Sequence, residues 1–112
     1  MSDPKILRFC GSSLEDLRVF PNSAMREAGY QLDKVQNGLE PSDWKPMPTV
    51  GSGVNEIRIR DVSGAFRIIY VAKFGNAVYV LHCFKKKTQK TSLSDLAIAE
   101  KRYRDLIKDL KS

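Results

Sequence analysis

The chain has 112 residues, with 19 Lys+Arg against 13 Asp+Glu, a formal net charge of +6 and 42% hydrophobic residues. That apolar fraction excludes a charge-dominated disordered chain, and the length accommodates one hydrophobic core, so residues 1–112 read as a single domain. No apolar run approaches the roughly 18 residues of a membrane span and no signal-peptide core is recognisable, so a cytoplasmic protein with no membrane partner is expected.

Lys5 to Cys10 (KILRFC), between Pro4 and Gly11, reads as a first strand. Ser12-Ser13-Leu14-Glu15 has the spacing of a capping box for a short helix ending near Phe20, where Pro21 stops it. Asn22 or Ser23 caps a second helix, in which Met25, Ala28, Leu32, Val35 and Leu39 share a face and Asn37-Gly38 provides the stop. The two helices form a helical hairpin. Residues 38–53, with Pro41, Pro46 and Pro48, read as a long loop pinned to the core by Trp44. Apolar and polar residues then alternate through VNEIRIRD, AFRIIYVAKF and AVYVLHCFKKK, which predicts three antiparallel strands, the last two joined by the two-residue turn Gly75-Asn76. Ser92, with Asp95 three residues on, caps a terminal helix whose apolar stripe is Leu93, Leu96, Ala97, Tyr103, Leu106, Ile107 and Leu110. The predicted class is α+β: an N-terminal strand and helical hairpin packed on a twisted antiparallel sheet, with a C-terminal helix.

The charge is concentrated. Residues 1–53 carry 6 basic and 7 acidic side chains, residues 54–92 carry 8 and 2, and residues 93–112 carry 5 and 4. A basic segment within ordered structure implies a polyanionic partner, either nucleic acid or an acidic protein surface. Strand register sorts this charge. With Gly75-Asn76 as a two-residue loop, Ile69 faces His82, Arg67 faces Phe84 and Ala65 faces Lys86. Phe66, Ile68, Tyr70, Ala72, Phe74, Tyr79, Leu81 and Cys83 then form the core face. The opposite face carries Glu56, Arg58, Arg60, Arg67, His82, Phe84 and Lys86, with Ile69, Val71, Val78 and Val80 at its other end under a helix. Arginine forks, an ammonium, an imidazole and an aromatic ring on one surface are the parts of an RNA site. Two cysteines and one histidine are too few for a disulfide framework or a zinc site of recognisable spacing, so no metal and no other cofactor is expected.

The order of elements, with the segments Glu56 to Arg60, Phe66 to Tyr70 and Leu81-His82-Cys83-Phe84-Lys85-Lys86-Lys87-Thr88-Gln89-Lys90-Thr91, resembles the RelE/HigB superfamily of type II toxins, in its phage-derived HigB-like branch. The resemblance spans about residues 5–105. It implies a ribosome-dependent, metal-independent mRNA endoribonuclease that inhibits translation, silenced by a cognate helix-turn-helix antitoxin. It places Arg67 where the scissile phosphate is stabilised, Arg58 where a basic strand residue contributes, and Lys86 near a second such arginine. The sequence departs from RelE in two places: no stacking tyrosine occurs near Ser92, and Glu56 stands where a catalytic lysine is found. The expected catalytic set is Arg58, Arg67, His82 and Lys86, with Lys86 or His82 moving protons and Glu56 a possible base. Arg60, Phe84, Lys85, Lys87 and Lys90 are expected to bind RNA or the ribosome, Phe84 by stacking. The alternative is a non-catalytic RNA- or ribosome-binding module. A DNA-binding regulator is disfavoured, because the helical hairpin is neutral to acidic and lacks a base-reading helix.

Overall fold

The computed structural model describes residues 3–112. In chain order the elements are β1 (Ile6–Phe9), α1 (Ser13–Arg18), α2 (Asn22–Gln36), β2 (Trp44–Pro46), β3 (Val54–Asp61), β4 (Gly64–Val71), β5 (Ala77–Lys86) and α3 (Leu93–Lys111). The strands form one five-stranded sheet in the order β1-β5-β4-β3-β2. The α+β class holds, but the sheet is mixed. β2, β3, β4 and β5 pair antiparallel, whereas β1 runs parallel to β5, a connection made possible by the whole intervening chain. Among the described residues no helix is long and apolar enough to cross a membrane.

One face of the sheet packs on α1 and α2. Leu17, Phe20, Ala24, Ala28, Leu32 and Val35 meet Ile57, Ile59, Phe66, Ile68, Tyr70, Val78, Val80 and Cys83 there. Each large aliphatic side chain so buried contributes about 1.5–3 kcal/mol, which fixes the facing of β3 and β4. The helix ends differ from expectation. Ser12 precedes α1 and Pro21 precedes α2, and neither makes a side-chain cap bond; α2 begins at Asn22, because Pro21 already has the fixed φ that suits a helix entry. Gly38, at φ 79°, ends the turn after α2, and Leu39 lies beyond it, exposed rather than on the buried stripe.

Residues 38–53 are not simply a loop. Trp44–Pro46 adds an edge strand to β3, a position that tolerates Pro46 because an edge residue need not donate to a neighbour. Trp44 is only half-buried; Met47 and Val50 supply the buried anchors, and Gln31 holds the segment to α2 by accepting from the Ser42 amide at 2.8 Å.

The register from Ala65 to Ile69 is the expected one, with Lys86, Phe84 and His82 opposite Ala65, Arg67 and Ile69. It then shifts. Tyr70 faces Val80, so Leu81 is an extra residue in β5, a β-bulge. β4 also ends at Val71, and residues 72–76 replace the two-residue turn. The bulge reverses the expected facing of the first half of β5. Val78 and Val80 join the α1–α2 core, and Tyr79 and Leu81 turn to the other side, where α3 lies. Phe74 also packs on that side.

Helix α3 covers half of that second face. Ser92 caps it as expected, accepting from the Asp95 amide at 3.1 Å. Its buried stripe is Leu96, Ala99, Tyr103 and Leu106, at steps of 3, 4 and 3, packed on Val54, Ile69, Val71 and Leu81. Leu93 and Leu110 are exposed, so the stripe is offset from the expected one. Arg102 ties the helix down, donating to the Leu81 carbonyl at 2.9 Å, to Asp16 at 3.2 Å and to Ser12 Oγ at 2.8 Å.

Candidate functional site

Beyond the first turn of α3 the sheet face is open, and cross-strand pairing sets its side chains in rows. Lys45, Glu56, Ile69 and His82 form one row; Arg58, Arg67 and Phe84 form the next; Arg60, Ala65 and Lys86 form the last. Directly opposed residues share a face with Cβ atoms about 4.5–5.5 Å apart. Arg58 and Arg67 are therefore immediate neighbours, with Arg60 and Lys86 diagonal to Arg67. Like charges directly opposed destabilise a sheet, so this arrangement is not one that stability alone selects.

The cationic rows rest on a buried carboxylate. Glu56 has no exposed surface, Arg67 is only 8% exposed, and Arg67 Nε lies 3.6 Å from Glu56 Oε1. The Thr91 hydroxyl donates to Glu56 Oε2 at 3.3 Å, and Arg67 Nη1 donates to the Phe66 carbonyl at 3.0 Å. Burial pulls the Arg67 pKa below its ordinary value, and Glu56 pushes the other way. Glu56 is thus enclosed between Arg67 and Thr91, away from solvent.

Lys86 occupies the rim. Its pKa is lowered, first by partial burial and then by Arg67, with Glu56 opposing and Lys45 and Arg58 adding to the depression. Desolvation and surrounding positive charge both disfavour the Lys86 ammonium. Arg58, Arg60, Arg67, Lys86, Lys87, Thr88 and Gln89 line a shallow groove of about 550 Å³. Lys45, opposite Glu56, also projects to this face; the prolines around it mask the edge strand in the sequence.

Three expected residues lie elsewhere. His82 is 5% exposed, with Nε2 2.7 Å from Asp95 Oδ1 and Nδ1 3.6 Å from Asp16 Oδ2, under the first turn of α3. Phe84 is buried, and its ring stacks on His82 with centroids 5.0 Å apart, so it presents no platform to a nucleic-acid base. Lys85 points to the opposite face, its ammonium 5.9 Å from the Phe66 ring centroid. Lys90 is exposed and lines a second hollow with Lys87, Ser92 and Asp95, beside the groove.

The family described as phage derived protein Gp49-like matches residues 15–104. No curated protein matches the sequence. A free-state mutant of the toxin RelE from E. coli superposes with a TM-score of 0.65 at 13% identity, covering 92% of this chain and 98% of that one. The crystal structure of the toxin–antitoxin complex RelBE2 from Mycobacterium tuberculosis gives 0.51 at 21% identity, covering 74% of this chain and 99% of that one.

Proposed function

The chain belongs to the phage-derived Gp49-like family, and from that membership and a fold shared with RelE we propose that it is the toxin of a type II toxin–antitoxin pair, an endoribonuclease that cuts mRNA on the ribosome. The observation that carries the reading is the opposition of Arg58 and Arg67, with Arg60 and Lys86 beside them, in one groove.

Cleavage by the neighbouring ribose requires the 2′-hydroxyl to give its proton to solvent water and its oxygen to bond to phosphorus, a phosphorane to carry the added negative charge, and the P–O5′ bond to break with a proton passing to the 5′-oxygen. In this reading Arg67 and Arg58 hold the phosphorane oxygens, because planar forks of donors stabilise negative charge as it develops. Lys86, with its depressed pKa, is the proton donor to the 5′-oxygen. These side chains supply the charge stabilisation the reaction needs without a cofactor. Arg60, Lys87 and Lys90 extend the basic surface for phosphate contacts that position RNA without reading its sequence. His82, enclosed by Asp95, Asp16 and Phe84, holds β5 against α3. A cognate antitoxin, expected to carry a helix-turn-helix domain, is the protein partner; the ribosome and mRNA are the others.

Mapping mRNA 5′ ends after brief induction tests this. The wild-type protein should create new ends inside translated frames, and Arg67→Lys, which keeps the charge but not the fork, should create far fewer. Ribosome binding that is salt-sensitive but creates no new ends would replace the nuclease with a non-catalytic RNA- or ribosome-binding module.

A further inference from the structure

Glu56 is the one acidic side chain in the rows, and it is fully buried. Replacing both members of a buried ion pair by apolar residues of similar volume is often neutral for stability, so stability alone does not account for the Glu56–Arg67 pair. Two buried polar atoms without hydrogen-bond partners face one another at this point: Glu56 Oε1 and Arg67 Nε, 3.6 Å apart. A movement of about 0.6 Å brings them to ordinary hydrogen-bond length. The other carboxylate oxygen accepts from Thr91, at the far end of the Lys-rich segment that follows β5.

We propose that Glu56 is a positioning residue: it grips Arg67 through Nε when RNA is bound, releasing Nη1 from the Phe66 carbonyl so that both Nη groups turn to the scissile phosphate. The guanidinium is rigid and planar. Fixing Nε on one edge directs the remaining donors outward as a bidentate pair, a geometry that Arg67 cannot hold alone while Nη1 is bound to its own strand. Thr91 on Oε2 ties the end of residues 87–91 to the same carboxylate, so the groove floor and its basic rim share one anchor. Lys45 lies directly opposite Glu56 on β2, and Arg58 and Lys86 flank Arg67; all three are basic, so no other carboxylate of the rows competes for Nε. The identity of the anion as a scissile phosphate rests on the nuclease reading; the grip itself does not.

Two measurements on the intact protein separate these. In ¹⁵N–¹H spectra with a short single-stranded RNA as the probe, the Nε–Hε signal of Arg67, assigned by its loss in Arg67→Lys, should be slow to exchange and should move on Glu56→Gln. A fast-exchanging wild-type signal, or one that Glu56→Gln leaves in place, overturns the grip whether or not the protein cuts RNA. On programmed ribosomes Glu56→Gln should slow single-turnover cleavage by about 10–100-fold with RNA affinity unchanged, the scale expected when a catalytic group is misplaced by about an ångström. In the Arg67→Lys background the same change should add nothing. Equal losses in both backgrounds overturn the proposal; absence of cleavage by the wild-type protein overturns the nuclease reading and leaves the spectra to decide the grip.

Discussion

Replacing Arg67 with Ala should destabilise the whole domain, not only disable the groove. The Arg67 side chain is 10% exposed and that of Glu56 0%. Truncation leaves Glu56 charged, buried and bonded to Thr91 alone. Breaking a buried pair from one side costs about 3–5 kcal/mol, because the remaining charge has lost both water and its partner. Against the roughly 5–15 kcal/mol that holds a small domain together, this is about a fifth of the total or more. At about 4 °C per kcal/mol for a chain of this size, melting should fall by about 12–20 °C. The double variant Glu56→Gln/Arg67→Ala should recover more than half of the loss, since the amide is neutral and can still accept from Thr91. Urea titrations of the wild type and both variants, followed by circular dichroism, measure all three values. A single variant within about 1 kcal/mol of the wild type, or a double variant no more stable than the single one, would refute the buried-charge argument. A corollary concerns phenotype: loss of toxicity in Arg67→Ala alone says little about catalysis, and Arg67→Lys is the informative substitution.

Other outcomes follow from the same geometry. Because the Lys86 pKa is depressed below 10.5 and the ammonium is the proposed donor, cleavage should decline as pH rises through that lowered value. Lys86→Arg should abolish this alkaline limb and slow cleavage by about 100-fold or more; a pH–rate profile that keeps the limb in the variant removes Lys86 from proton transfer. His82→Ala loses the 2.7 Å bond to Asp95 and the stack on Phe84, and should cost about 2 kcal/mol in urea titration with the rate per folded molecule unchanged. A slowed rate at full stability would return His82 to the catalytic set. Burial, with a smaller contribution from Asp16, pushes the Cys83 thiol up to about 12. Iodoacetamide at pH 8 should therefore modify half-buried Cys10 first and Cys83 only on unfolding, as peptide mass spectrometry would report. The sign for stability is that the neutral buried thiol contributes fully below its ordinary 9.0 and the contribution is lost as pH rises towards 12.

The elements that position the groove were legible because their signals are local. Ile57 and Ile59 alternating with Glu56, Arg58 and Arg60 leave only one facing for β3, and Ala65 to Ile69 pairs with Lys86 to His82 as read. The parts that were missed depend on contacts distant in sequence. Counting by twos through Val78, Tyr79, Val80 and Leu81 cannot reveal a bulge, since all four are apolar and suit either face. Lys45 is hidden in the sequence because Pro46 and Pro48 read as loop residues, and only β3 as a partner makes an edge strand of Trp44–Pro46. His82 and Phe84 have the chemistry of an RNA site but sit where α3 reaches, and the sequence alone does not show how far a helix extends over a sheet. The parallel placement of β1 is likewise a matter of topology: Ile6 and Phe9 pair with Ala77 and Val80 across most of the chain.

The extra residue in β5 has a role outside the sheet itself. Without Leu81 the strand would still set His82 opposite Ile69 and Val80 opposite Tyr70, and both halves would keep their faces. What would disappear is a fully buried side chain under α3 and the carbonyl that receives Arg102. The insertion is thus a socket for the C-terminal helix, added without disturbing the spacing of the arginines. Attachment of that helix and alignment of the groove can therefore be changed independently by sequence variation.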